Sequence, residues 1–488
     1  MLLLLLLLPP AARAHVGSPN VFFEGKAGPH PVLVTIRPPA SLPGPAQIDV
    51  HAEGEISRVT VRGIFFAAGE DMAPPAVEAE RVAEADGLYH TSLWLLRKGA
   101  YSIQIHVDGA AGAGSVAVPL NSAAYRNPNM PVGLAATLTV LGVVLVLGAL
   151  GIAWSASQHA WRPTLVTAVL LAGALFAGGW RWRAMDRDFR ENALDRPLPV
   201  AAAIRTDGAL RLLDVTPLPD AADPGWETLV ADHGKLMHLF LVREADQAAF
   251  AHLHPVRRDA RTFENVLPPL PAGDYRLYAE ITLASGLSRT LISQLAVPAP
   301  SGPELPPQAD AAIVNELWCR APSAALGNAA QPYALDVDDS WHLGAPAVAP
   351  AGDFTQTAAL PDGGRMVFAN AGALTVDRET SLRFTVVDAA GRQVPLQPYI
   401  GMAGHAVLRR ADGTVFTHLH PAGTISMGAQ ELFSGAKPTT TPMTPPPAAR
   451  EVTFPYAFPR EGNYRLWVQV RIGGRIRTGT FEVSVKPA

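Results

Sequence analysis

Two stretches of the 488-residue chain carry histidine at matching places. "MHLFLVREADQAAFAHLHP" (Met237–Pro255) and "GHAVLRRADGTVFTHLHP" (Gly404–Pro421) each set one histidine before a turn and an H-x-H pair after it. Imidazole is a ligand for Cu, Zn, Ni and Fe, so three imidazoles that converge suffice to hold one such ion. Whether they converge depends on how each hairpin closes.

Asp412-Gly413 predicts a type I′ turn that pairs Ala411 with Thr414. Counting outward, His405 falls opposite His420, with His418 on the same face because strand side chains alternate. A three-residue loop, Ala245-Asp246-Gln247, sets His238 opposite His254 with His252 beside it. Opposed Cβ atoms stand about 5 Å apart and i,i+2 neighbours roughly 6.7 Å, so each hairpin presents three imidazoles as one patch. The candidate ligands are His238, His252 and His254 in one repeat and His405, His418 and His420 in the other. Thioether softness favours Cu(I), which adds Met402, three residues before His405. Met427 beyond the second HLHP segment could swing over the same site, and His233 and Met237 lie near the first triangle. Copper is the expected ion and zinc the alternative.

No carboxylate falls in ligand register within the hairpins, which argues against a hydrolytic zinc enzyme. No nucleophile–base pair, phosphate-cradling glycine loop or haem-attachment motif emerges from the spacing. The expectation is a metal-binding protein and not an enzyme. The competing reading is an envelope interaction scaffold, in which the histidines only pack strands that HLHP ends at proline and exposed sheet edges recruit partners.

The elements that position the hairpins are β-rich modules. Alternating stretches such as "PVLVTIRP" and "AQIDVHAEG", and 45 prolines with 42 glycines, favour turn-rich sandwiches over bundles. Three segments share a glycine turn and a tyrosine strand: "KGAYSIQIHVDG", "AGDYRLYAEIT" and "EGNYRLWVQVR". The fold class is therefore mainly β: three Ig-like or cupredoxin-like β-sandwiches plus a two-helix transmembrane hairpin. Val132–Trp154 and Pro163–Trp180 are uncharged and close to the roughly 20 residues a helix needs to cross a bilayer. The expected order is a signal peptide (1–14), a sandwich (15–127), the hairpin (128–182), a middle sandwich (183–300), a proline-rich linker (301–314) and a last sandwich (315–488). "KPTTTPMTPPPAAR" (437–450) reads as a loop within the last module, and the region 315–353 has no clear periodicity.

"MLLLLLLLPPAARA" predicts cleavage after Ala14 and export. The eight residues that join the spans are too few to hold a domain, so both soluble parts share one compartment, the periplasm, beside an inner-membrane anchor. Arg181, Arg183, Arg187 and Arg190 after the second span run against the positive-inside bias. A net charge of −4 gives no footprint for a nucleic-acid partner, and Cys319, the single cysteine, forbids an intrachain disulfide. Cleavage would leave His15 first, its amine and imidazole able to chelate Cu(II), with His51, His90 and His106 as companions. In this one position the chain resembles CopC-type periplasmic copper proteins.

"HVGSPNVFFEGKAGPHPV", "DHGKLMHLFLVRE", "FAHLHP" and "GMAGHAV…HLHP" resemble bacterial membrane-anchored envelope proteins with YtkA-like or FixH-like sandwich modules. The resemblance implies copper handling or the assembly of respiratory complexes, with other envelope or respiratory-complex proteins as partners.

Overall fold

The computed structural model describes residues 15–16, 20–124, 132–189, 195–207, 210–218, 226, 228–299, 308–310, 336–344, 355–372, 374–435 and 449–487. The expected signal peptide, Cys319, and most of the linker and of the Pro/Thr loop lie outside the described residues. What is described is mainly β, with several sandwich-like sheets and two long apolar helices.

Each module owns a core. The first packs Val34, Ile48, Val50, Val61 and Ile105 between a five-stranded and a four-stranded sheet. In the last module Phe368, Phe384, Leu408, Leu466 and Phe481 do the same, whereas the middle core of Leu213, Leu239, Leu241, Phe263 and Leu277 lies within a single 11-stranded sheet. A shared corner supports the repeat. Tyr275 Oη donates to the Pro271 carbonyl at 2.9 Å, and Tyr464 Oη to the Arg460 carbonyl at 2.8 Å, the tyrosine corner of Ig-like sandwiches. Two residues before the matching tyrosine, Gly99, Gly273 and Gly462 all take positive φ. A side chain is disfavoured there, which explains the recurring Gly-x-Tyr.

Helices α1 (Val132–Ala156) and α2 (Trp161–Asp188) pack side by side, with none of their apolar windows buried in protein. Side chains such as Leu145, Val169 and Phe176 stay exposed, an arrangement suited to a hydrocarbon surround. Helix α2 runs past Trp180 to Asp188, so the arginine cluster begins on its last turns.

The modules interlock. Phe22 sits in the core of the last module, and Phe22 N–H donates to Thr424 Oγ1 at 3.1 Å. Backbone His15–Val16 pairs in parallel with Val415–Phe416. A short helix α3 (Met427–Phe433), capped by Ser426, packs Phe433 against Ala100 and Ala117 of the first module. Ser340–Leu343, which the sequence reading assigns to the last module, instead pairs antiparallel with Ala249–Leu253 of the middle module, and Gln308–Asp310 pairs with it in turn. The outer edge of the His252 strand needs backbone partners, a demand that local periodicity does not reveal.

Candidate metal centre

Both hairpins form in the expected register. Leu239 faces Leu253 and Phe240 faces His252, so His238 stands opposite His254; Ala406 faces Leu419 and Val407 faces His418, which sets His405 opposite His420. The second turn is not the expected type I′, since of its central pair only Gly413 (φ 71°) is left-handed. Gly413 N–H donates to the Arg410 carbonyl at 2.8 Å and Thr414 N–H to Asp412 Oδ1 at 3.0 Å. Gly413 and the Asp412 side chain thus close a longer loop without moving the register.

The histidine faces do not look outward. They face each other across the junction of the middle and last modules. Tyr278 stacks on Phe416 at 3.8 Å between ring centroids, and Phe250 on Trp467 at 4.8 Å. Because Tyr278 and Trp467 occupy equivalent places, as do Phe416 and Phe250, the two contacts are one contact made twice, as across a two-fold axis. The next layer repeats this reciprocity. His252 Nδ1 lies 2.9 Å from Gln469 Oε1, and His418 Nδ1 lies 3.2 Å from Glu280 Oε2. Gln469 pairs with His405 across the sheet as Glu280 pairs with His238.

Seven imidazoles meet in this layer. His238, His252 and His254 form one group whose ligand atoms all lie within 4.8 Å of one another, as expected from the first hairpin. The second group is His233, His405 and His420. His418, expected in it, lies between the groups instead, and its place is taken by His233 of the middle module. The reason lies in the turn before each first histidine strand. Asp232–Lys235 and Tyr399–Met402 are equivalent turns with left-handed central residues, His233 (φ 53°) with Gly234 and Ile400 (φ 48°) with Gly401. Only the middle repeat has a histidine at that position, and it reaches across to the partner module.

Partners fix several rings. His254 Nδ1 lies 3.0 Å from Asp339 Oδ1, whose other oxygen accepts from Asn265 Nδ2 at 3.0 Å. His238 Nε2 faces the Asp232 carbonyl at 3.2 Å, and His420 Nδ1 the Ile425 carbonyl at 3.2 Å. Tyr399 Oη donates to the Asp338 carbonyl at 3.0 Å and lies 3.3 Å from His252 Nδ1. Yet Nε2 of His254, His418 and His420, and both ring nitrogens of His405, are buried with no hydrogen-bond partner in the protein. Burying polar groups unpaired costs stability, and a coordinated ion would satisfy them.

Electrostatics favour the ligand form. Burial, reinforced by neighbouring imidazoles, pushes His238, His252, His405 and His418 well below the usual histidine range, and His420 is pushed to about 4. All five are therefore neutral near pH 7, the state in which imidazole binds metal. Glu280 is pushed above the usual carboxylate range by burial and the nearby Asp232 carboxylate.

The other candidates lie elsewhere or on the margin. Met237 points into the middle module's core, and Met427 packs against the core of the first. Met402 is half-buried in the Tyr399–Met402 turn, where the other repeat has Lys235. His90 is held by Asp49 at 2.6 Å and His106 by Ser115 Oγ at 2.8 Å, both on the first module, while His51 is exposed. The side chain of His15 lies outside the described residues. Asp339, Glu280 and Gln469 escape a hairpin reading because they come from other strands and segments. One signal for the buried face was legible: "HLFLVR" is apolar on both faces, the pattern of a strand covered on both sides.

Residues 358–487 match a family described as "Domain of unknown function (DUF8832)". No curated protein matches the chain. Among solved structures, an engineered protein shows 18% identity over 19% of this chain and 20% of its own, with a TM-score of 0.15. A bacterial ice-binding adhesin shows 5% identity over 91% of this chain and 92% of its own, with a TM-score of 0.16. An alpha-2-macroglobulin from Escherichia coli shows 9% identity over 97% of this chain and 24% of its own, with a TM-score of 0.18. The chain thus spans only 20% and 24% of the first and last of these.

Proposed function

We propose that this is a membrane-anchored envelope protein that binds transition-metal ions, copper in preference to zinc, at the histidine layer between its middle and last modules. The observation that carries this reading is the set of buried imidazoles whose Nε2 atoms have no protein partner. Three converging imidazoles suit Cu and Zn, and the carboxylate that orients His254 is a usual companion of a ligating histidine. Its role is metal handling or the assembly of a respiratory complex, in line with the YtkA-like and FixH-like resemblance, and it acts by binding and not by catalysis.

A cavity of about 150 Å³ supports the handling role. Its lining includes His238, His418 and His420, together with residues 121–123 and 195–197. Those two segments lead into α1 and out of α2, and Asp195 N–H donates to the Ala124 carbonyl at 2.8 Å. An ion that enters here would pass between the segments that carry the apolar hairpin, with the domains on the periplasmic side.

The test is metal analysis of the full chain purified in detergent from its own membrane, followed by calorimetric titration of the apo protein with Cu and Zn. Binding well above surface background, abolished in a His238→Ala/His405→Ala double variant, is expected. Absence of such binding for both metals refutes the reading.

A further inference from the structure

Resting on the reading that the triads hold metal, we propose that they form one paired centre, with two ions in a shared pocket and His418 as a seventh imidazole between them. Two isolated sites would need rings kept well apart. Here rings of different triads lie only slightly farther apart than rings of the same triad: His233 and His238 are 6.5 Å apart between centroids, and His252 and His405 are 6.3 Å apart. Within the triads the spacings run from 4.6 Å for His252 and His254 to 5.6 Å for His233 and His405.

His418 belongs to neither group yet touches both. Its ring lies 5.3 Å from His238 and 5.6 Å from His252 on one side. On the other side it lies 5.4 Å from His405 and 4.4 Å from His420. Its side chain is 2% exposed and its Nε2 has no protein partner. The Nδ1 atom is engaged by Glu280, the carboxylate–imidazole arrangement that orients a ligating histidine. Two cations held close together repel, so a paired centre calls for anionic groups. Asp339 on His254 and Asp232, 3.3 Å from His233 Nε2, supply them around the layer. Each triad also leaves an ion with coordination positions that protein does not fill. The cavity bordered by Glu280, His238, His418 and His420 is where a small exogenous ligand would reach them.

Titration of the full-length apo protein with Cu(II), followed by electron paramagnetic resonance, tests the pairing. The first equivalent should give an isolated Cu(II) signal. The second should give a coupled spectrum, with dipolar broadening and a half-field transition. His418→Gln should weaken the second equivalent by at least about 10-fold and leave the melting temperature of the apo protein near that of the parent chain. Glu280→Gln, which copies the residue native at position 469, is the second variant and should act in the same direction with less effect. Two magnetically independent ions, or saturation at one ion, overturns the pairing and leaves metal binding standing. If neither variant changes the second affinity, the place given to His418 is wrong. If no Cu(II) binds, the metal reading itself falls.

Discussion

The middle and last modules make the same hairpin from different sequences, and they differ in how complete each is. The middle repeat holds a full triad by itself and exports a fourth imidazole, His233, to its neighbour. The last repeat keeps only His405 and His420 for its site, has Ile400 where the other has His233, and leaves His418 between the two. One repeat is self-sufficient and the other is completed in trans. The two like faces dock and bury each other, and one side-chain difference at a turn divides the imidazoles unevenly.

His233→Ile should break this comparison most sharply, because it gives the middle turn the residue of the last. We expect loss of one of the two metal equivalents with the His238/His252/His254 site intact, measured by competition titration. His233→Asn, which tolerates left-handed backbone, should give the same loss and controls for strain. Equal damage to both sites would show that the repeats are not separable.

Removal of a stacked ring attacks the docking itself. Phe416→Ala should cost about 3–5 kcal/mol as a buried aromatic deletion, and Phe250→Ala a similar amount if the two-fold relation is energetic as well as geometric. Chemical unfolding of the apo chain, compared between the two variants, decides this. A large asymmetry would mean that one half of the interface dominates.

Among the described residues Asp339 has no counterpart in the last repeat, where His420 leans on a backbone carbonyl. Asp339→Asn should therefore weaken the middle triad by about 10–100-fold and leave the site containing His405 near its original affinity. A competition titration resolves the two sites.

The last test is the pH dependence of the apo protein. Burial holds His420 and His342 down to about 4, against an ordinary value of 6.5. Between those two values the unfolded chain binds protons that the folded chain refuses, so stability falls as pH falls through that window. The apo melting temperature should drop as pH is lowered from about 6.5 towards about 4, and these groups should contribute no slope above about pH 7.5. A flat profile through the window would show that the rings are more hydrated than their burial implies.

Much of this was legible because it is local. Hairpin register follows from alternation and loop length, so His238–His254 and His405–His420 could be paired from sequence. The two apolar helices could be read from their length and lack of charge. The departure of His418 from its own triangle could not, since it depends on which face of another module lies opposite. His233 was visible as a neighbour of the first triangle, yet its reach into the second site depends on a left-handed turn and a tertiary contact. The Asp336–Leu343 segment carries Asp339 to His254 only because a distant sheet edge had room for another strand.

The link between Phe22 and Thr424 has a kinetic consequence. These residues are 402 positions apart, so the strand that carries Phe22 finds this partner only after 402 further residues have been made. Closing so long a loop costs entropy before any contact repays it, and folds dominated by such distant pairings form slowly. The first module can complete its own sheets early, but the aromatic side chain at its start must wait, exposed, for the last core to receive it. The joining of the two modules must therefore follow the synthesis of both, and the histidine layer, which draws on the same later module, closes no sooner.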